Sequence, residues 1–79
     1  MLVRFYAVAR EIAGVDELPL EVSNLPELSG QLGARFGERM TRLVDAASFL
    51  HNGARYRAED PLPLSGDDVV DLLPPFAGG

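Results

Sequence analysis

Asn24-Leu25-Pro26-Glu27-Leu28-Ser29-Gly30-Gln31-Leu32-Gly33-Ala34-Arg35-Phe36 is the stretch on which the architecture turns. Leu25, Leu28, Leu32 and Phe36 recur at helical spacing and form one apolar stripe. Asn24 is placed to cap the first turn, Pro26 suits the first helical positions, and Glu27 sits near the positive end of the helix dipole. Gly30 and Gly33 each weaken a helix by up to about 1 kcal/mol relative to Ala, a loss compatible with close packing against a sheet. Gly37 is a natural stop. Glu38 to Asp45, carrying Met40, Leu43 and Val44, reads as a second, shorter helical segment.

On the N-terminal side of this helix the chain reads as strands. Leu2 to Ala9 is rich in Val, Phe and Tyr, with Val3, Phe5 and Ala7 expected on one face and Arg4 and Tyr6 on the other. Arg10 to Gly14 has the composition of a helical turn closed by Gly. Glu17 to Val22 alternates Leu18, Leu20 and Val22 against polar positions, and Pro19 suits an edge strand. The short connection between the two strands predicts an antiparallel pair.

On the C-terminal side, Ala47 to His51 reads as a strand running into Asn52-Gly53, a hairpin turn because both residues tolerate positive φ. Arg55-Tyr56-Arg57 returns as a short strand, and Asp60 to Asp68 is a turn-rich connection. Val69-Val70-Asp71-Leu72-Leu73 is the last strand, ended by Pro74-Pro75 because proline cannot donate to a ladder. The order predicts an α+β domain, a mixed sheet of four to five strands with one main helix across one face. That helix would cover Val3, Phe5, Leu20, Phe49, Val70 and Leu72, leaving Tyr6, Leu50 and Leu73 on the open side as a candidate docking patch.

Composition narrows the function classes. Seventy-nine residues make one small domain, and 47% hydrophobic with 24% charged residues is the balance of a folded chain. Domains this small bury only about 60% of their unfolded surface. Without cysteine, neither a disulfide nor a Cys-based zinc site can staple this one. Twelve acids against seven basic residues give a net charge of −5, which opposes nucleic acid and anionic membranes as partners. All seven basic residues are Arg, so no side-chain amine is present for Schiff-base chemistry or acylation. Met1 leads directly into strand-like sequence and no apolar run approaches the roughly 18 residues of a membrane span, so a cytoplasmic protein is expected.

Enzyme constellations are nearly absent. The single His51, no Cys and serines outside any nucleophile elbow offer no triad, and no catalytic residue is expected. His51 reads as a structural histidine beside the turn. Asp67-Asp68 and Glu59-Asp60 lack the number and spacing of calcium ligands and read as turn residues, so no metal is expected. Gly30, Gly33 and Gly37 lack the placement of a phosphate-binding loop. What remains is the ending, Pro74-Pro75-Phe76-Ala77-Gly78-Gly79: a stiff proline pair and a tail whose last residues carry no Cβ and so fit a channel too narrow for a side chain. The expected division is a domain over 1–75 and a flexible tail over 76–79.

Phe5-Tyr6-Ala7 with Arg10-Glu11-Ile12-Ala13-Gly14, Asn24-Leu25-Pro26-Glu27-Leu28, Asn52-Gly53, Pro61-Leu62 with Gly66-Asp67, and Leu72 to Gly79 together resemble the ubiquitin-like β-grasp sulfur carriers. Within them the resemblance is to small subunits of molybdopterin synthase, of the MoaD type in the MoaD/ThiS family. It covers essentially the whole chain, and the Pro-Pro-x-Ala-Gly-Gly ending is its specific part. The resemblance implies that a ubiquitin-activating-type enzyme adenylates the carboxylate of Gly79 with ATP and that sulfur from a sulfurtransferase replaces AMP to give a thiocarboxylate. The loaded tail then supplies dithiolene sulfur in the active site of the large synthase subunit. No cofactor would be bound by the chain itself. Tyr6, Leu50 and Leu73 would face partners, and Arg10 would match a basic position that pairs with an acid on the activating enzyme. His51 and Phe76 depart from the family's usual apolar and smaller aliphatic residues, which keeps open a carrier for cysteine, thiamine or tRNA thiolation. A ubiquitin-like protein modifier and an interaction module with an inert tail are the other readings.

Overall fold

The computed structural model describes residues 1–75. Eight elements follow in order: β1 (Leu2–Phe5), α1 (Val8–Ala13), β2 (Glu17–Pro19), α2 (Leu25–Phe36), α3 (Glu38–Ala46), β3 (Ser48–His51), β4 (Ala54–Tyr56) and β5 (Val69–Leu73). The strands form one mixed sheet in the order β2-β1-β5-β3-β4. β1 and β5 run parallel at its centre, and the other pairings are antiparallel. This is the ubiquitin-like β-grasp architecture.

The local signals act as their chemistry predicts. Asn24 Oδ1 accepts the Glu27 backbone N–H at 2.8 Å, capping α2 with Pro26 in its first turn. Asn52 and Gly53 take φ of 50° and 82°, the hairpin conformation that joins β3 to β4. Pro19 lies in the edge strand β2, where one missing N–H disturbs no second ladder.

Leu25, Leu28 and Leu32 are fully buried against Val3, Phe5, Phe49, Val70 and Leu72 of the sheet. Phe36 meets Phe5 edge-on, with ring centroids 5.9 Å apart. The cover is broader than the single main helix expected. α3 turns back on α2 at Gly37, whose φ of 94° favours glycine, and buries Met40 and Val44 in the same core.

The first strand is shorter than the sequence pattern indicates. It stops at Phe5, because Ala7 adopts a positive φ of 51° and its carbonyl accepts the N–H groups of Arg10 and Glu11 to open α1. Ala7 is therefore exposed, not on the inner face with Val3 and Phe5. β2 likewise ends at Pro19, although Leu20 and Val22 still reach the core. Among the described residues no helix is long and apolar enough to cross a membrane.

Candidate functional site

The strand registers assign the open face of the sheet residue by residue. Since Val3, Phe5, Phe49, Val70 and Leu72 point into the core, their alternating neighbours point away from the helices. One cross-strand row on this outer face runs Glu17, Arg4, Asp71, Leu50, Arg55 through all five strands. On one side of the row lie Pro19, Leu2 and Val69; on the other lie Leu73, its partner Ser48, and Tyr6 beyond the end of β1.

Tyr6, Leu50 and Leu73 thus share the outer face, Leu50 beside Asp71 in the central row and Tyr6 and Leu73 at the end of β5 where the chain leaves the sheet. Tyr6 is 39% exposed, while Leu50 and Leu73 are half-buried by their neighbours. Pro74 is buried directly after the strand and Pro75 is exposed. The remaining tail residues, Phe76, Ala77, Gly78 and Gly79, lie outside the described residues. Arg10 is exposed on α1, its Nη1 atom 3.7 Å from Asp16 Oδ1. It borders a small groove shared with Arg4, Tyr6 and Glu17, beside the candidate docking patch.

The row also holds charge that sequence alternation did not pair. Arg4 donates from Nε to Asp71 Oδ1 at 2.6 Å and from Nη2 to Asp71 Oδ2 at 3.0 Å, a bidentate fork across the parallel strands. The hydrogen bonds and the charge of Asp71 raise the Arg4 pKa above its ordinary value, so the guanidinium is charged at every relevant pH. The Tyr6 hydroxyl lies 3.4 Å from Asp71 Oδ1. Alternation already sent Arg4 and Tyr6 to one face, but no signal within either strand indicates that Asp71 faces Arg4.

A second pair lies at the far end of the molecule. His51 Nε2 is 3.1 Å from Asp68 Oδ1, and Asp68 Oδ2 accepts the Ser65 N–H at 2.8 Å. His51 is shielded there and meets Tyr56 edge-on, which gives it a structural place. A surface groove also opens at that end, among Met1, Leu2, Pro19 and Val69, remote from the root of the tail. Among the described residues no three His, Cys, Asp or Glu side chains come together as a metal site.

A β-grasp domain with a partly apolar outer face leading into a proline-stiffened C-terminal segment defines a small carrier or modifier of the ubiquitin-like class. A model of the ThiS family matches residues 3–79, and the chain belongs to that family. Comparison with curated protein sequences finds no match. Among solved structures, a chain in the complex of subunits 1 and 2 of the molybdopterin-converting factor from Helicobacter pylori is 28% identical, with a TM-score of 0.67 over 99% of this chain and 96% of that one. Small archaeal modifier protein 1 from Methanosarcina acetivorans is 25% identical, with a TM-score of 0.76 over 99% and 94%. Its namesake from Haloferax volcanii, 20% identical with a TM-score of 0.77 over 100% and 98%, shares the fold. The protein is a small ThiS/MoaD-type carrier.

Proposed function

We propose that this chain is the sulfur-carrying small subunit of a molybdopterin synthase, with the carboxylate of Gly79 as its reactive group. The observation that carries the reading is the ThiS-family match, which extends through residue 79 and so includes the Pro74-Pro75-Phe76-Ala77-Gly78-Gly79 ending. Likeness to the two-subunit complex from Helicobacter pylori favours the molybdopterin branch.

A carboxylate does not react with sulfur nucleophiles, and activation supplies the missing leaving group. On a ubiquitin-activating-type enzyme the Gly79 carboxylate attacks the α-phosphorus of ATP and pyrophosphate departs. Sulfur at the sulfide level, already released by a sulfurtransferase, then adds to the acyl carbon, and the carbon–oxygen bond to AMP breaks as the carbon–sulfur bond forms, leaving the thiocarboxylate and AMP. Gly78 and Gly79 pass through a narrow channel because they carry no side chain. Pro74-Pro75 directs the tail off the sheet, while Tyr6, Leu50 and Leu73 seat the domain on the large subunit. Arg10 pairs with an acid of the activating enzyme. The chain itself supplies no catalytic group, and ATP is bound by its partner.

Intact mass spectrometry after incubation with ATP, the adenylating enzyme and a sulfur source tests this directly. The expected result is an oxygen-to-sulfur mass gain that is lost on deleting Gly79, followed by conversion of the precursor pterin with the large subunit. No gain with an adenylating enzyme shown to bind the chain would overturn it. Likeness to small archaeal modifier protein 1 favours a second reading, a ubiquitin-like modifier joined through Gly79 to lysines of other proteins. Cellular adducts that require Gly79 would select that reading.

A further inference from the structure

The middle of the outer face poses a problem for docking. Asp71 lies on β5, the central strand, with Leu50 as its neighbour in β3, and its side chain is only 15% exposed. A partner that covers Tyr6, Leu50 and Leu73 also covers Asp71. Removing water from an unpaired carboxylate is strongly unfavourable.

The geometry already answers this. Both Asp71 oxygens accept from the Arg4 guanidinium, and the Tyr6 hydroxyl approaches one of them as a further donor. Glu17 is the cross-strand neighbour of Arg4 on its other side. The carboxylate is therefore neutralised before any partner arrives.

We propose that Arg4 and Asp71 are positioning residues that form a pre-neutralised polar centre of the docking face. They allow this face to be dehydrated under an uncharged, apolar surface of the synthase large subunit, and they disfavour partners that bring a carboxylate or an ammonium to the same spot. The inference rests on the carrier reading above. The Arg4 side chain is 46% exposed in the free protein, and exposed ion pairs add little to stability. The pair thus matters more to docking than to folding. Losing one member leaves the other's charge without its fork partner in the complex; losing both removes the central pair altogether.

The experiment is a double-mutant cycle on the full-length chain, with Arg4→Ala, Asp71→Ala and the double variant. Calorimetric affinity for the cognate large subunit is set against urea stability of each free protein. Each single substitution is expected to weaken binding at least about tenfold with little change in stability, and the double variant to recover most of the loss. Arg4→Lys keeps the charge but not the fork and should fall between wild type and Arg4→Ala. Binding of the wild type should depend weakly on salt, because the partner brings no opposing charge.

Additive losses, single variants that bind like wild type, binding losses matched by equal losses of stability, or a steep salt dependence would each overturn the inference. If wild type binds and Leu73→Ala weakens it while the Arg4 and Asp71 variants do not, the inference fails and the carrier reading stands. If wild type does not bind a large subunit of demonstrated activity, the reading fails and the inference with it.

Discussion

His51 and Asp68, 17 residues apart, join the tip of the β3–β4 hairpin to the turn that launches β5, with Nε2 and Oδ1 separated by 3.1 Å. Asp68 also receives the Ser65 N–H on its other oxygen, and its own carbonyl accepts the Leu2 N–H. One residue therefore anchors the hairpin, the turn and the start of β1. The contacts from His51 and then from Ser65 hold the Asp68 carboxyl below its ordinary value of 3.8.

A carboxyl lowered in the folded state stabilises fully above its unfolded value and loses that contribution as pH falls through its folded value. Asp68 should therefore add to stability at neutral pH and stop doing so on acidification below 3.8. Thermal melts from neutral to strongly acidic pH should show a shallower acid decline for Asp68→Asn than for wild type. Parallel declines would show that this carboxyl does not contribute to acid unfolding.

The two helix glycines should respond in opposite directions. A Cβ at Gly30 meets open space, so Gly30→Ala should stabilise by up to about 1 kcal/mol through helix propensity. A Cβ at Gly33 would overlap Thr41 Oγ1 where α2 and α3 meet. Gly33→Ala should lose about 1–3 kcal/mol, part of which Thr41→Ala restores. Urea unfolding of the three variants checks the ordering.

Leu72 and Leu73 are adjacent but face opposite ways. Leu72 is fully buried beneath α2, and Leu72→Ala should destabilise by about 2–5 kcal/mol. Leu73 lies on the outer face, so Leu73→Ala should leave the fold largely intact and instead weaken binding to the proposed large-subunit partner, as should Tyr6→Ala. Chemical denaturation and calorimetry together separate the two effects.

Asn24 fixes the start of the helix that covers the sheet. Asn24→Ala removes the acceptor for Glu27 N–H and should lower stability by about 1 kcal/mol, with Asn24→Asp close to wild type. Denaturant midpoints at neutral pH measure both.

Much of this architecture is written locally. The Asn24 cap, the Leu25, Leu28 and Leu32 stripe, the Asn52-Gly53 turn and the Pro74-Pro75 stop each act over a few residues, where steric and hydrogen-bonding preferences are short-ranged. From these the mixed sheet, its helical cover and the outward placement of Tyr6 and Leu73 can be read. The premature end of β1 cannot be read in this way, because Val, Phe and Tyr favour a strand through Tyr6 while Ala7 takes a backbone conformation that alanine seldom adopts. The share of the core held by Met40 and Val44 is also hidden, since it depends on how α3 turns back at Gly37.

By itself, then, the amino-acid order determined the elements, their sequence and the side-chain-free ending at Gly78-Gly79. Only the tertiary structure decided that Arg4 grips Asp71 across 67 residues and that His51 finds Asp68. Neither contact has a signature within its own segment. Each exists because the parallel pairing of β1 with β5, or the return of the chain beside the hairpin, brings together groups that local chemistry leaves apart.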